Sequence, residues 1–234
     1  RLYALTFTER TDLVGYHPDV RVWEVKNEDG RGLGLCLGDY YTRDTKNGGA
    51  WMNSLVHQSR LLNEPPVVIN NLNISKPAAG EPTLLTFDQV VTAFHEFGHA
   101  LQGMLTQAKY KSLAGTNVDR DYVELCSQIL EHWATEPEVL KVYAKHYQTG
   151  EVIPQDLIDK LNASGTFNQG FVSTELAGAS ILDLKWGRHD GKNVDVMGFE
   201  KKVAEEIGMP DEITFRYRSP YFKHIFGDDG YASG

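Results

Sequence analysis

"TFDQVVTAFHEFGHALQGMLT", residues 86–106, repeats apolar side chains at intervals of three and four residues. This is the period of an α-helix that buries one face. Thr86 followed by Gln89 has the spacing of a capping box, and Asp88 suits the positive N-terminal end of a helix. The stretch therefore predicts a helix over residues 86–106 with an apolar stripe made of Phe87, Val90, Val91, Phe94, Leu101, Met104 and Leu105.

The same helix carries two histidines and a glutamate in the pattern H-E-x-x-H. His95 and His99 are four residues apart, so they share one helix face with their Cβ atoms about 5–6 Å apart and can bind one metal ion together. Glu96 follows the first histidine, where it can act as a general base without being a ligand. Gly98 costs a helix interior roughly 1 kcal/mol relative to Ala, which indicates a packing or site requirement.

Two histidines do not complete a catalytic zinc site, which normally has three protein ligands. The segment "DYVELCSQILEHWA", residues 121–134, offers Glu124, Glu131 and His132. Glu124 stands near the start of the next predicted helix, so its carboxylate could return to the histidines. It could instead form a capping box with Asp121, three residues earlier. Spacing alone does not separate these two roles.

The chain before this helix is strand-like, and the chain after it is helical. In residues 1–75, "LYALTF", "VRVWEV" and "GLGLCLGDYY" are rich in strand formers and separated by turn segments, which predicts a short β-meander. "RDTKNGGAWM" is interpreted as a glycine-bearing loop and "PPVVINNLNI" as a further strand. In residues 76–234, helices are predicted at 122–147 (split by Pro137), 154–162 and 171–187. The fold class is therefore α+β, mostly α, with a strand-rich part beside a helical part that carries the HExxH motif.

One strand is a candidate for substrate binding. "VVIN", residues 67–70, could be a sheet edge to which a peptide adds as an extra strand, through Val68 and Ile69. An ordinary buried strand has the same composition, and the sequence does not distinguish them.

Composition excludes several classes of protein. With 23 Lys and Arg against 32 Asp and Glu, the net charge is -9, and no basic block is present, so nucleic acid and anionic membranes are not expected partners. The sequence shows no membrane-spanning run and no signal peptide. Cys36 and Cys126 are too few for a disulfide framework or a structural zinc site of the cysteine type, and they fit a reducing compartment. We therefore expect a cytoplasmic location.

Several segments together resemble the M3 family of zinc metallopeptidases, which includes thimet oligopeptidase and neurolysin. They are "GGAWM", "FHEFGHALQGM", "SLAGTNVDRDYVELCSQILEHWATEPEVL" and "YRSPYFKHIFG", and they are most similar to the peptidyl-dipeptidase branch. The resemblance implies one Zn²⁺ per chain, bound by His95, His99 and Glu124, with Glu96 as the base. The family usually has a third histidine where this chain has Gln102. That histidine is not a ligand, so we expect zinc to be retained with altered hydrogen bonding around it.

The resemblance also implies roles near the C-terminus. His224 and Tyr231 match family residues on a glycine-rich loop that stabilise the oxyanion, although a surface histidine and a turn aromatic are the alternatives. M3 enzymes are roughly three times longer than this chain on the usual scale of domain sizes. We therefore expect residues 1–234 to be a catalytic-domain fragment.

The resulting hypothesis is a monomeric zinc metallopeptidase that hydrolyses oligopeptides, either by releasing C-terminal dipeptides or as an oligopeptidase. Arg216 and Arg218 could bind the C-terminal carboxylate of the substrate. The alternative is a zinc- and peptide-binding remnant with little catalysis.

Overall fold

The computed structural model describes residues 2–227, and the chain divides into two compact units. The first unit ends at Ile153 and the second begins at Pro154. The strand-rich residues 1–75 and the helix that carries the HExxH motif belong to the same unit. The change from strands to helices near residue 75 is therefore not a boundary between compact units.

A five-stranded sheet is described in the first unit. Its strands are β1 (Thr6–Glu9), β2 (Arg21–Lys26), β3 (Gly32–Tyr41), β4 (Trp51–Val56) and β5 (Val67–Ile74). Their order across the sheet is β1-β2-β3-β5-β4. The first three pair antiparallel in sequence, as a meander does. β5 runs parallel to β3 and antiparallel to β4, so β4 lies at the edge of the sheet.

The predicted strand "PPVVINNLNI" is confirmed as β5, but two details of the strand predictions were wrong. The last two residues of the predicted loop, Trp51 and Met52, already belong to β4, where they pair with Asn71 and Asn70 of β5. The expected edge strand "VVIN" is instead the start of β5, which is paired on both sides. Val68 is 0% exposed and Ile69 is 5% exposed, and they pack into separate apolar clusters. Neither residue can therefore offer a backbone edge to a peptide.

The helices follow the strands along the chain. They are α1 (Phe87–Leu105), α2 (Arg120–Val123), α3 (Leu125–Glu131) and α4 (Pro137–Tyr143) in the first unit, and α5 (Gln155–Ser164), α6 (Gln169–Gly187) and α7 (Val196–Glu206) in the second. Short 3₁₀ turns are described at Lys111–Leu113, His132–Ala134 and Lys223–Phe226. The combination of sheet and helices confirms an α+β chain. Within residues 2–227, no helix has the length and apolar character needed to cross a membrane.

The predicted ends of α1 and the predicted break at Pro137 are confirmed. Thr86 is the N-cap of α1, and both hydrogen bonds of the capping box with Gln89 are present. Pro137 occupies the first turn of α4, where its missing N–H costs nothing. α7 was not predicted from the sequence.

Helix α1 lies against one face of the sheet. Ala100, Leu101 and Met104 of the helix pack with Val68 and with Cys36 in one buried cluster. Gly103 permits this approach, since a Cβ there would lie 2.6 Å from Met52 Cε and 3.0 Å from Val68 Cγ1. Burial of a Leu or Met side chain contributes about 1.5–3 kcal/mol. This packing holds the helix firmly and leaves its histidines on a side that faces α3.

A buried lysine ties the two parallel strands together. Lys46, in the connection between β3 and β4, donates hydrogen bonds to the carbonyl oxygens of Asp39, Tyr41 and Leu72 and to the Asp39 carboxylate. The side chains of Lys46 and Asp39 are 3% and 2% exposed. Because Leu72 belongs to β5 and Asp39 to β3, one ammonium group links both strands.

The charge of Asp39 is compensated from several sides. Its carboxylate accepts hydrogen bonds from Arg43 and Tyr16 as well as from Lys46. Burial alone would raise the pKa of Asp39, but these hydrogen bonds outweigh burial and hold the pKa well below its usual range. Burial also raises the pKa of Tyr16 to about 12, with the Asp39 carboxylate adding to the effect. Asp39 is therefore a buried carboxylate whose charge is paired with both Lys46 and Arg43.

We predict that Lys46→Met destabilises the chain by about 3 kcal/mol, because it leaves a buried carboxylate and three carbonyls with fewer donors. Lys76→Met is the control. Lys76 is 56% exposed and pairs with Asp19 at the surface, so its loss should cost less than about 1 kcal/mol. Urea unfolding gives the free energy of unfolding of both variants. Equal losses would show that burial of the Lys46–Asp39 pair does not add to the stability of the chain.

Candidate metal centre

The site begins at a close contact between α1 and α3. A Cβ at Gly98 would lie 2.6 Å from Ser127 Cα and 2.7 Å from the Cys126 carbonyl oxygen. Any larger residue would have to push the two backbones apart. The close approach of α3 thus explains why a glycine, which destabilises a helix interior, stands at position 98. The same approach brings Glu124, which directly precedes α3, to the face of α1 that carries the histidines.

One oxygen of Glu124 meets both histidines. Glu124 Oε2 lies 3.1 Å from His95 Nε2 and 3.0 Å from His99 Nε2. The three residues each offer a ligand atom within 4.8 Å of the others. A tetrahedral zinc ion with bonds of 2.0–2.2 Å separates its ligand atoms by about 3.3 Å, so two imidazoles and one carboxylate at these distances fit such an ion.

The capping role considered for Glu124 is wrong. Asp121 lies inside α2, and no side-chain capping bond is made at the start of α2 or of α3. Instead, Ser127 Oγ donates to Glu124 Oε2 at 2.8 Å and to the Glu124 carbonyl at 2.9 Å. These bonds fix the carboxylate while it faces the histidines.

The Nδ1 atoms of the two histidines differ in their hydrogen bonding. His95 Nδ1 lies 2.6 Å from Glu131 Oε1, at the end of α3. His99 Nδ1 is buried and has no hydrogen-bond partner among the described residues. The sequence offered Glu131 as a possible ligand, and its seven-residue distance from Glu124, two helical turns, could have indicated this contact. His132 is exposed in the 3₁₀ turn that follows.

Glu96 is buried beside this group. It is 6% exposed, and its Oε2 has no hydrogen-bond partner within residues 2–227. Burial raises the pKa of Glu96 to about 7, while the interaction with His95 opposes the shift and the Glu124 carboxylate adds to it. A carboxyl group that is buried, unpaired and close to the possible ligands is suited to accept and return a proton.

The other predicted site residues belong to the second unit. His224 lies in the 3₁₀ turn Lys223–Phe226 with its ring stacked on Phe222, and Tyr231 lies outside the described residues. Arg216 forms an exposed ion pair with Glu175 at 3.4 Å. None of these three roles is tested by these contacts.

Arg218 is committed to a structural contact. Its guanidinium donates to Glu200, which is 5% exposed and also accepts from the Ser219 N–H at 2.9 Å. Ser219 in turn accepts from Trp186 Nε1 at 2.7 Å, within the apolar cluster of this unit. Arg218 is therefore paired with Glu200 in this structure, and its role as a contact for the substrate carboxylate stays a prediction.

Residues 1–234 match the model of Peptidase family M3 over their whole length. The chain belongs to peptidase family M3. The M3 chain is 49% identical over 238 residues to a dipeptidyl carboxypeptidase of Escherichia coli and 47% identical over 238 residues to that of Salmonella typhimurium. It is 36% identical over 243 residues to oligopeptidase A of Escherichia coli. Each alignment covers 100% of the M3 chain and 35% of the relative, so the chain spans about a third of the length of these proteins.

We predict that Gly98→Ala lowers the stability of the M3 chain by about 1–3 kcal/mol, because the added Cβ overlaps the α3 backbone. The same substitution should also weaken zinc binding at least about tenfold, because the added Cβ pushes α3, and Glu124 with it, away from the histidines.

Gly170→Ala in α6 is the matched control for this substitution. A Cβ there meets nothing within 4 Å. It should leave zinc affinity unchanged and stabilise the helix by up to about 1 kcal/mol. Urea unfolding measures the stability of both variants, and zinc titration measures their affinity for zinc. Unchanged zinc affinity in Gly98→Ala would contradict the proposed role of the glycine.

Proposed function

We propose that this M3 chain is the metal-binding part of a zinc peptidase that hydrolyses short peptides. The supporting observation is the approach of His95 Nε2 and His99 Nε2 to one carboxylate oxygen of Glu124, at 3.1 and 3.0 Å. We assign one Zn²⁺ per chain to these three ligands, within a helical core of the zincin type. A bound zinc ion would polarise the scissile carbonyl and lower the pKa of water towards about 7.

Glu96 is assigned as the general base. Its carboxylate takes a proton from the attacking water and returns it to the leaving amine. The burial that raises its pKa also makes it a stronger proton acceptor than an exposed glutamate. Its place directly after His95 keeps it next to the ligands without making it one of them.

The edge strand β4 is the segment to which we assign the peptide backbone. β4 pairs with β5 along one side, and no described strand pairs with its other side. Met52 and Ser54 of β4 lie against Gly103, one turn beyond His99. A peptide added to this edge would be held by main-chain hydrogen bonds close to the metal-binding helix. This assignment replaces the one made for Val68 and Ile69.

The substrate class is supported by the relatives. Dipeptidyl carboxypeptidase and oligopeptidase A are names for enzymes that act on peptides. We therefore propose oligopeptide substrates for the protein to which residues 1–234 contribute the catalytic domain. His224 and Tyr231 are proposed as donors to the oxyanion and Arg216 as a contact for the substrate carboxylate, on the resemblance alone.

A second candidate is a chain that binds zinc and peptide without turnover. It is favoured by the fact that the chain spans 35% of the relatives' length. Turnover of a blocked oligopeptide by the 234-residue chain with added zinc separates the candidates. Cleavage above the level of the Glu96 variant described below supports a peptidase, and binding without cleavage supports the second candidate.

We predict that Glu124→Ala lowers zinc affinity more than about 100-fold, because an effect of 10–100-fold is typical for a residue that only supports a ligand. Glu138→Ala is the control, since Glu138 is 84% exposed and pairs with Lys141 on α4. Competition with a chelating dye measures both. Stoichiometric zinc in Glu124→Ala at micromolar metal would reassign the third ligand.

We predict that Glu96→Gln keeps zinc and loses hydrolysis. The amide has nearly the same volume but cannot accept the proton, and general-base catalysis contributes about 10²–10⁴-fold. Zinc content and peptide turnover are measured on the same sample. If turnover stays above about a tenth of the wild-type value, Glu96 is not the base.

A further inference from the structure

We propose that Glu131 is a positioning residue, which acts on the metal through His95 and makes the two histidine ligands unequal. The inference rests on the metal site proposed above and adds a residue to it. The observation behind it is the 2.6 Å contact between Glu131 Oε1 and His95 Nδ1. His99 Nδ1 has no such partner within the described residues.

The contact gives the two ring nitrogens of His95 different roles. A carboxylate accepts hydrogen bonds, so the 2.6 Å contact with Glu131 Oε1 places a proton on Nδ1. Nε2, the nitrogen that lies 3.1 Å from Glu124 Oε2, is then the ring atom left to bind the metal. The contact thereby holds the ring with Nε2 towards the common point of the three ligands.

Helix α3 contacts His95 from both ends of the ring. Glu124 directly precedes the first residue of α3, and Glu131 is its last residue. A separation of seven residues is two helical turns, so both carboxylates project from one side of α3. Gly98 lets this side approach α1 closely. The short helix therefore supplies the third ligand and also fixes the orientation of the first.

Glu131 is not itself a ligand in this arrangement. It contacts the ring nitrogen that points away from Glu124 Oε2, and the group of mutually close ligand atoms consists of His95, His99 and Glu124. Its side chain is 34% exposed and that of His95 is 25% exposed. The carboxylate is therefore shielded enough to polarise the imidazole, and an anion on Nδ1–H makes Nε2 a stronger donor to a metal.

The two histidines should consequently contribute unequally. His95 is oriented by the Glu131 carboxylate, whereas the ring of His99 is held by burial, at 8% exposure. Removal of the charge behind His95 should weaken zinc binding, although all three ligands remain. The same change should leave the fold of the metal-free chain intact, because Glu131 sits at a helix end and fills no part of the apolar core.

The test uses the 234-residue chain with Glu131→Gln, Glu131→Leu and the exposed control Glu138→Gln. Zinc affinity is measured by chelator competition, metal-free stability by urea unfolding, and ligand geometry by the visible absorption of the Co²⁺-loaded chain. We expect zinc affinity to fall about 10–100-fold in Glu131→Gln, which keeps an acceptor oxygen without the charge. It should fall further in Glu131→Leu and stay unchanged in Glu138→Gln. The Co²⁺ spectrum should shift in both Glu131 variants, and the metal-free unfolding midpoints should match that of the wild type.

Two results would overturn the inference. One is zinc affinity in Glu131→Gln within about threefold of the wild type. The other is a loss of metal-free stability in both Glu131 variants that accounts for the loss of affinity, which would make the residue structural. Glu124→Ala separates this inference from the metal site as a whole. If that variant loses zinc and the Glu131 variants do not, only the positioning role fails. If Glu124→Ala keeps zinc, the proposed site itself fails.

Discussion

The contact between Gly98 and the backbone of α3 is the constraint on which the rest of the site depends. Two backbones come together where a Cβ would lie 2.6 Å from Ser127 Cα. The sheet fixes α1 through Ala100, Leu101 and Met104, and α1 fixes α3 through the glycine. Glu124 and Glu131 reach the histidines because of this approach. The metal centre is therefore a product of helix packing, with short polar contacts added to it.

The site also depends on the order of the strands in the sheet. α1 packs over β5, an interior strand, and crosses towards β4 at Gly103. An interior strand has both sides of its backbone paired, so it gives the helix a rigid support. The edge strand next to it keeps one side available. The interior strand β5, which supports the metal-binding helix, and the edge strand β4, to which a peptide could add, are thus neighbours.

Much of this could be predicted from local sequence, since the signals are short-range. The period of residues 86–106, the capping pair Thr86 and Gln89, and the break at Pro137 each depend on neighbours along the chain. The choice of Glu124 over a capping role depends on where α3 packs, which spacing alone does not determine. The position of "VVIN" within the sheet was predicted wrongly, because edge and interior strands share the same residue types. The seven-residue spacing of Glu124 and Glu131 indicates a shared side of α3, but the contact of Glu131 with His95 also depends on the register between α1 and α3.

The strand order has a consequence for the connection between β3 and β4. These strands are consecutive in sequence, yet β5 lies between them. Lys46 lies in that connection and donates both to Asp39 of β3 and to the carbonyl oxygen of Leu72 in β5. Its hydrogen bonds are therefore complete only when β5 occupies the place between β3 and β4. One buried ammonium group thus makes the stability of this connection depend on the order of the strands.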